Sequence, residues 1–157
     1  MTEPRDIPGV LAPPPLIYLG FLLAGWGAGQ LFDGPGLGLP DVWRRGLAVA
    51  GLITGFGLEA TAAGLFRRAR TAVQPWKPST ALVTAGIYRV TRNPIYVGMA
   101  IIYAALAVGM DSLAAIILLL PCLLTVDRFV IAREELYLQA RFGPAYLAYT
   151  REVRRWL

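Results

Sequence analysis

The sequence predicts an all-α membrane protein with about four transmembrane helices and cytoplasmic amphipathic helices at its C terminus. Of the 157 residues, 56% are apolar and only 16% are charged, and the mean hydropathy is +0.54. Soluble domains average about 45–50% apolar and about 25% charged residues, so this chain has too little charge to cover a water-facing surface. The apolar residues are also collected in four stretches. At this length we expect one domain spanning residues 1–157.

The first two predicted spans cover residues 15–32 and 46–66. Crossing about 30 Å of hydrocarbon takes about 20 apolar residues, and both stretches satisfy this. The prolines at 13–15 predict a stiff entry to the first span, and the glycine-rich residues 33–40 predict an external loop. The N-terminal leader lacks the compact basic region of a cleavable signal peptide, so we expect the first span to remain as an anchor.

The third and fourth predicted spans, 94–109 and 112–127, form one apolar tract that is interrupted only near Asp111 and Ser112. A single long helix would place Asp111 in the middle of the bilayer, where a carboxylate is costly. We therefore predict a tight helical hairpin with Asp111 and Ser112 at its tip and Ser112 as N-cap. Gly25, Gly51 and Gly55 allow close helix packing, within a monomer or between subunits, so the oligomeric state stays open.

The net charge of +5 is a topology signal. Thirteen of the fifteen Lys and Arg residues lie in the N-terminal tail, in the connection between the second and third spans, and after the fourth span. Because cytoplasmic segments hold the basic excess, we expect both termini in the cytoplasm, with the spans in a bacterial inner membrane. This distribution argues against a nucleic-acid partner.

The chain has no histidine and a single cysteine, Cys122, within an apolar stretch. This composition excludes a disulfide, the usual zinc and iron sites, and the nucleophile–histidine pairs of hydrolases. We therefore expect no metal. Any chemistry has to come from Arg, Asp, Glu, Asn and Tyr.

Such residues are concentrated in two predicted cytoplasmic segments, 74–98 and 128–157. The first carries Tyr88, Arg92 and Asn93 up to Pro94, which suits a helix start. A helix N-terminus beside Arg92 is suited to bind a carboxylate or phosphate. The second segment carries Glu134 and Glu135, which point about 100° apart on a helix.

The two segments read GIYRVTRNPIYVG and REELYLQARFGPAYLAYTREVRRWL. In this order they resemble the isoprenylcysteine carboxyl methyltransferase and phospholipid methyltransferase superfamily of integral-membrane enzymes. Its members carry Arg-His-Pro-x-Tyr-x-Gly before a helical hairpin, then Glu-Glu-x-x-Leu and Phe-Gly-x-x-Tyr-x-x-Tyr. The resemblance covers about the last half of the chain. It implies methyl transfer from S-adenosylmethionine, yielding S-adenosylhomocysteine, to a lipophilic acceptor that reaches a cytoplasmic site from the bilayer.

The residues that stand in these elements, together with the neighbouring Tyr88, form the candidate cofactor-binding set. They are Tyr88, Arg92, Asn93, Pro94, Tyr96, Gly98, Glu134, Glu135, Leu138 and Tyr146, while Phe142, Gly143 and Tyr149 complete the closing aromatic element. The sequence departs from the superfamily at Asn93, where many members have histidine. An amide forms hydrogen bonds but does not titrate near neutral pH, so acid–base catalysis at this position is excluded.

The chemistry of the cofactor suits these residues. We expect Arg92 to pair with the carboxylate, and Glu134 or Glu135 to accept from the ammonium or the ribose hydroxyls. Tyr96, Tyr146 or Tyr149 can stack on adenine or face the sulfonium. Alternatively, the arginines anchor the chain at the membrane interface, the glutamates lie on a solvated helix face, and the C-terminal tyrosines lie on the membrane surface.

Two further residues are catalytic candidates. Glu59 falls inside the second span, where a carboxylate usually marks a cavity or a partner, unless it only bonds to Thr54 or Thr61. Arg128 precedes the acidic pair and could orient a substrate carboxylate or phosphate. The acceptor can be a carboxylate, an amine or a thiol, and an amine would need a proton acceptor such as Glu59 or Glu134. The alternative function is a non-catalytic four-helix membrane protein for binding or assembly.

Overall fold

The computed structural model of the chain describes residues 12–73 and 77–157. The predicted leader up to residue 11, including Arg5, and residues 74–76 at the start of the predicted cofactor segment lie outside the described residues. Within those ranges every regular element is helical, which confirms the all-α prediction. The elements are α1 (Pro14–Leu31), α2 (Asp41–Arg68), a 3-10 turn (Gly86–Arg89), α3 (Pro94–Gly109), α4 (Leu113–Val126), a π-helical turn (Asp127–Ile131), α5 (Ala132–Phe142) and α6 (Pro144–Glu152).

Two described helical runs are long and apolar enough to cross a membrane. They are Asp41–Arg68, with 28 residues, and Leu113–Phe142, with 30 residues. The third helix, α3, is apolar but shorter, with 16 residues. Large apolar side chains such as Ile53 and Leu120 lie exposed on these helices, as expected for surfaces that contact lipid rather than water. The count of four spans stays a prediction.

The second predicted span, residues 46–66, lies inside a longer helix, since α2 begins at Asp41 and ends at Arg68. Asp41 lies in the first turn and pairs with Arg44 and Arg45, an arrangement that helices tolerate because an acidic side chain is favourable at the N-terminus. The bounds of the first and third spans agree with α1 and α3 to within one residue.

The end of the fourth predicted span also differs from the structure. The α4 helix ends at Val126, but the π-helical turn continues it into α5 without a loop. No glycine or proline occurs between Val126 and Phe142 to break the run. The break comes at Gly143, with φ of 52°, followed by Pro144 at the start of α6, a combination that commonly separates two helices. The C-terminal segment therefore begins as a continuation of the hairpin.

The predicted hairpin between α3 and α4 is confirmed. Asp111 adopts a left-handed conformation with φ of 53°, and Ser112 is the N-cap of α4, its Oγ accepting from the Ala115 amide at 3.2 Å. The Asp111 carboxylate accepts from the Leu37 amide at 2.9 Å and pairs with Arg44 at 2.9 Å. The hairpin tip therefore fastens the loop between α1 and α2.

Glycines allow two close helix crossings inside the chain. A Cβ on Gly55 of α2 would lie 2.8 Å from the carbonyl oxygen of Gly98 in α3, and one on Gly25 of α1 would lie 2.6 Å from Ala115 Cα in α4. Neither position has space for a methyl group, so these glycines serve packing within one chain.

Buried tyrosines hold the helices in register. The hydroxyl of Tyr18 in α1 donates to the carbonyl of Tyr96 in α3 at 3.0 Å. Tyr103 of α3 donates to the carbonyl of Ala115 in α4 at 2.9 Å. Both phenols are almost fully buried, where an unpaired hydroxyl would be costly. The first of these bonds fixes the start of α3, which forms one wall of the site.

Candidate functional site

A cavity of about 220 Å³, which we call the main cavity, lies where α2 ends and α3 begins. Its walls come from the start of α3, from α5 and α6, and from the connection between α2 and α3. Most of the lining is apolar or aromatic, with a few polar groups, as is typical of small-molecule sites. Eight of the ten candidate cofactor-binding residues line it: Tyr88, Arg92, Asn93, Tyr96, Glu134, Glu135, Leu138 and Tyr146.

The remaining two candidates, Pro94 and Gly98, do not line the main cavity. Pro94 is buried in the first turn of α3 and starts that helix. Gly98 lies at the crossing of α2 and α3, where a Cβ would be 2.8 Å from Glu59 Cγ and 3.0 Å from the carbonyl oxygen of Gly55. Its structural role is therefore to let the two helices approach.

Arg92 is held on three sides. Its Nη2 donates to Glu135 Oε1 at 2.7 Å, and its Nη1 donates to the carbonyls of Thr150 and Val153 at 3.0 and 3.1 Å. The side chain is only 12% exposed. Its Nε is buried and has no hydrogen-bond partner in the described part of the chain. Arg92 thus joins α5 and α6 to the start of α3 and keeps one buried donor unsatisfied.

Glu135 is shared between two arginines. Besides Arg92, it accepts from Arg155 Nε at 3.2 Å and from Arg155 Nη2. Arg155 also reaches Asp127 in the π-helical turn at 3.0 Å, and the Trp156 indole donates to the same carboxylate at 2.9 Å. The pKa of Arg155 is raised, chiefly by its hydrogen bond to Glu135. With two guanidinium partners, Glu135 has little capacity left for a ligand.

Glu134 has a different partner from its neighbour. Its Oε1 accepts a hydrogen bond of 2.6 Å from the hydroxyl of Tyr96, and Tyr96 is buried in α3. The divergence expected for adjacent residues on a helix is observed, because the two carboxylates bond to different groups. Both nevertheless line the main cavity. The second oxygen of Glu134 has no hydrogen-bond partner among the described residues.

Asn93 uses its amide to hold the C terminus. Its Nδ2 donates to the carbonyl of Arg155 at 2.9 Å, the Thr91 hydroxyl donates to the same carbonyl at 3.2 Å, and the Arg92 amide donates to the carbonyl of Arg154 at 2.9 Å. At the position where the resembling superfamily often has histidine, this chain therefore has a donor to its own backbone.

Aromatic side chains close the cavity on the α6 side. The hydroxyl of Tyr149 donates to the carbonyl of Tyr88 at 2.7 Å, and the rings of Tyr146 and Tyr149 lie 6.2 Å apart with a tilt of 58°. Burial raises the pKa of Tyr149 to about 12, and the pKa values of Tyr88 and Tyr146 are also raised, chiefly by burial. All three phenols therefore stay neutral at physiological pH.

The two catalytic candidates lie apart from each other. Glu59 lines a second cavity of about 250 Å³ between α1, α2 and α3. The hydroxyls of Thr54 and Thr61 donate to carbonyls of their own helix, and Glu59 has no hydrogen-bond or ion-pair partner within residues 12–73 and 77–157. The expected alternative of a Glu59–threonine bond is therefore wrong. Arg128 lies exposed in the π-helical turn and lines neither cavity, so the structure does not bring it to the site.

The second cavity is adjacent to the main cavity. Pro15 of α1 and Met99 of α3 line both of them, and the remainder of its lining is apolar apart from Glu59, Tyr18 and Tyr103. The main cavity, with its few charged and polar groups, thus adjoins a second cavity that is mainly apolar.

Sequence analysis did not identify the contribution of Asp127, Arg155 and Trp156 to the site. The available signal was the basic pair Arg154-Arg155 directly after the aromatic element. The partners of Arg155 lie 20 and 28 positions earlier in the chain, so no local spacing could indicate them.

The fold and the site together define a helical membrane protein whose main cavity carries a few charged and polar groups and adjoins a mainly apolar second cavity. The model of the phospholipid methyltransferase family matches residues 43–145, about two thirds of the chain. The chain therefore belongs to the phospholipid methyltransferase family. It is also similar to an uncharacterized protein of Haemophilus influenzae, with 35% identity over 63 residues, which are 40% of this chain and all of that protein.

Among the described residues, no group of three or more acidic or cysteine side chains could hold a metal ion.

Proposed function

We propose that this protein transfers a methyl group from S-adenosylmethionine to a lipophilic acceptor at the cytoplasmic face of a bacterial inner membrane. The observation that carries the proposal is that Arg92, Glu134 and Tyr146 all line the main cavity, which adjoins the mainly apolar second cavity. Membership of a family of phospholipid methyltransferases supports it. The basic excess near the cavity, including Arg67, Arg68 and Arg89, favours the cytoplasmic side.

The residues present fit S-adenosylmethionine. The buried, unsatisfied Nε of Arg92 supplies a donor for the carboxylate of the amino-acid head. The oxygen of Glu134 that has no hydrogen-bond partner within residues 12–73 and 77–157 can accept from the ammonium or from a ribose hydroxyl. Tyr146 and Tyr149 supply π-faces for the adenine or the sulfonium, and Leu138 contributes an apolar contact. Between the two acidic candidates, Glu134 is favoured because Glu135 is already paired with two guanidinium groups.

When bound, S-adenosylmethionine would supply a methyl group on a sulfonium sulfur. A lone pair of the acceptor would form the new bond to the methyl carbon, and the electrons of the broken carbon–sulfur bond would return to sulfur. The protein's part is alignment and exclusion of water. Arg92 and Glu134 hold the polar head, while the closely packed tyrosines of α6 shield the cavity from solvent. No covalent enzyme intermediate is required.

The second cavity is our proposed approach for the acceptor. It lies between α1 and α3, is lined mainly by apolar side chains, and shares Met99 with the main cavity. Glu59 is the acidic side chain that lines it. A carboxylate here attracts a cationic headgroup and repels an anionic one, so among carboxylate, thiol and amine acceptors the site favours a lipid amine. Glu59 or Glu134 can then accept the proton that the amine loses.

Cofactor binding is tested by calorimetry with S-adenosylhomocysteine on folded protein in detergent. We expect saturable binding, weakened about tenfold or more by Glu134→Gln, because the amide carries no charge and has an NH2 donor in place of one acceptor oxygen. Glu152→Gln, an exposed carboxylate at the end of α6, is the matched control and should leave the affinity unchanged. Arg92→Ala is less informative, since it also removes bonds to α5 and α6. Folded wild-type protein that binds no ligand at millimolar concentration would exclude the proposal and favour the non-catalytic alternative.

The acceptor is tested by supplying methyl-labelled S-adenosylmethionine and membrane lipid extract to the detergent-purified protein. We expect label in a lipid whose headgroup carries an amine. Label recovered only in a methyl ester or thioether would overturn the amine assignment but retain methyl transfer.

A further inference from the structure

We propose that Arg155 is a positioning residue of the cofactor site, acting through Glu135 to fix the guanidinium of Arg92. We call residues Val153–Trp156 the C-terminal strap. The inference rests on the proposed function, because the affinity it concerns is that for the cofactor. It adds a residue outside residues 43–145, the part of the chain that the family model matches.

The strap is bonded along its length to the segment that starts α3. The carbonyls of Val153, Arg154 and Arg155 all accept hydrogen bonds from Thr91, Arg92 or Asn93, at 2.9–3.2 Å. The side chain of Val153 is buried in the cluster with Tyr88 and Tyr149. The strap therefore forms a backing behind the residues that face the main cavity.

Arg155 fastens this strap to the opposite wall. Its guanidinium bridges Glu135 of α5 and Asp127 of the π-helical turn, and Trp156 adds a bond to Asp127. The result is a chain of alternating charges, Asp127, Arg155, Glu135 and Arg92, in which each group contacts the next. Arg155 itself does not line the main cavity, so any effect it has on a ligand passes through Glu135 and Arg92.

The charges in this chain balance. Two carboxylates face two guanidinium groups, and the exposed fractions of Arg92 and Glu135 are only 12% and 17%. Bidentate and bridging contacts of arginine fix geometry as well as charge. Removing Arg155 deletes the two hydrogen bonds that fix both oxygens of Glu135. The carboxylate can then turn, and the contact that orients Nη2 of Arg92 is no longer fixed. We therefore expect cofactor affinity to fall although no ligand contact has been deleted.

The test compares S-adenosylhomocysteine affinity in Arg155→Met and in its neighbour Arg154→Met, whose side chain is exposed. We expect Arg155→Met to weaken binding about 10- to 100-fold, the scale of a misplaced binding group, and Arg154→Met to change it less than about twofold. Arg155→Lys retains the charge without the fork and should recover part of the loss.

A double-substitution cycle with Glu135→Gln separates positioning from general destabilisation. If Arg155 acts through Glu135, Arg155→Met should change affinity little in the Glu135→Gln background, whereas a general loss of stability would add in both backgrounds. If Arg155→Met cannot be isolated folded, the same cycle uses Arg155→Lys. Two results would overturn the positioning role alone, provided that the wild-type protein binds S-adenosylhomocysteine. The first is equal affinity in Arg155→Met and Arg154→Met, and the second is additive effects of the Arg155 and Glu135 substitutions on affinity. Absence of wild-type binding would overturn the proposed function and this inference together.

Discussion

The hydroxyl of Tyr96 donates a hydrogen bond of 2.6 Å to Oε1 of Glu134 and so joins the two arms of the helical hairpin. Tyr96 lies in the first turn of α3, and Glu134 lies in α5, 38 residues later. The bond orients the carboxyl group that we propose for the cofactor, and it leaves the second oxygen of that group available.

Tyr96→Phe should weaken S-adenosylhomocysteine binding about tenfold, since Glu134 loses the donor that orients it. Tyr103→Phe is the matched control, because its hydroxyl bonds to a carbonyl of α4 away from the main cavity. The control should lower the midpoint of thermal unfolding in detergent without changing affinity. Equal affinities in the two variants would contradict the role of the Tyr96 bond.

Asn93→His and Asn93→Asp test the use of the amide as a donor. Histidine can still donate to the carbonyl of Arg155, whereas an ionised aspartate would place an acceptor opposite that carbonyl. We expect near wild-type cofactor affinity for Asn93→His and a clear loss for Asn93→Asp, measured by calorimetry. A strong loss in Asn93→His would point to a direct ligand contact for the amide instead.

Glu59→Gln should separate acceptor chemistry from cofactor binding. Glu59 lines the second cavity but not the main cavity. We expect unchanged affinity for S-adenosylhomocysteine and a loss of label transfer to an amine lipid of about 10²-fold or more, the contribution typical of a positioned proton acceptor. Undiminished transfer would remove Glu59 from the proposed mechanism.

Gly55→Ala should destabilise the pairing of α2 with α3. Its Cβ would lie 2.8 Å from the carbonyl oxygen of Gly98, and this backbone atom cannot move away without shifting a helix. We expect a loss of about 1–3 kcal/mol in the free energy of unfolding. Gly57→Ala has open space around its Cβ and should be neutral or stabilising, because alanine is the better helix former. Thermal unfolding of both variants in detergent provides the comparison.

Asp111→Ala should loosen the loop between α1 and α2 without affecting the site. Asp111 accepts from the Leu37 amide and pairs with Arg44, but its side chain is 38% exposed, so we expect only about 1 kcal/mol of destabilisation. Limited proteolysis within residues 33–40 should accelerate while cofactor affinity stays constant. A change in affinity would show that the two ends of the molecule are coupled.

The fold was largely predictable because local features determine it. The apolar stretches indicated the helices, and Asp111-Ser112 marked the hairpin tip without reference to any distant residue. The helix α2 begins five residues before the apolar stretch that predicts the second span. Asp41, Arg44 and Arg45 interrupt the apolar pattern there, although a helix carries such a set well when Asp precedes Arg by one turn.

The sequence predicted which residues belong to the candidate site but not which of them form hydrogen bonds and ion pairs with each other. The motif order brought attention to Arg92 and Glu134, yet the pairing of Arg92 with Glu135 spans 43 residues and depends on how the helices pack. Gly98 shows a different limit. The sequence cannot distinguish a glycine that lets two helices approach from a glycine that makes room for a ligand. In both cases glycine is required because it has no side chain.

The uninterrupted passage from α4 into α5 has a mechanical consequence. From Leu113 to Phe142 the chain forms 30 consecutive helical residues, a rod about 45 Å long at 1.5 Å per residue. Glu134 is carried on this rod, while Tyr96 is carried on the shorter arm. Since no loop separates α4 from α5, we expect a change in the tilt of this run, such as bilayers of different thickness impose, to alter the position of Glu134 relative to Tyr96.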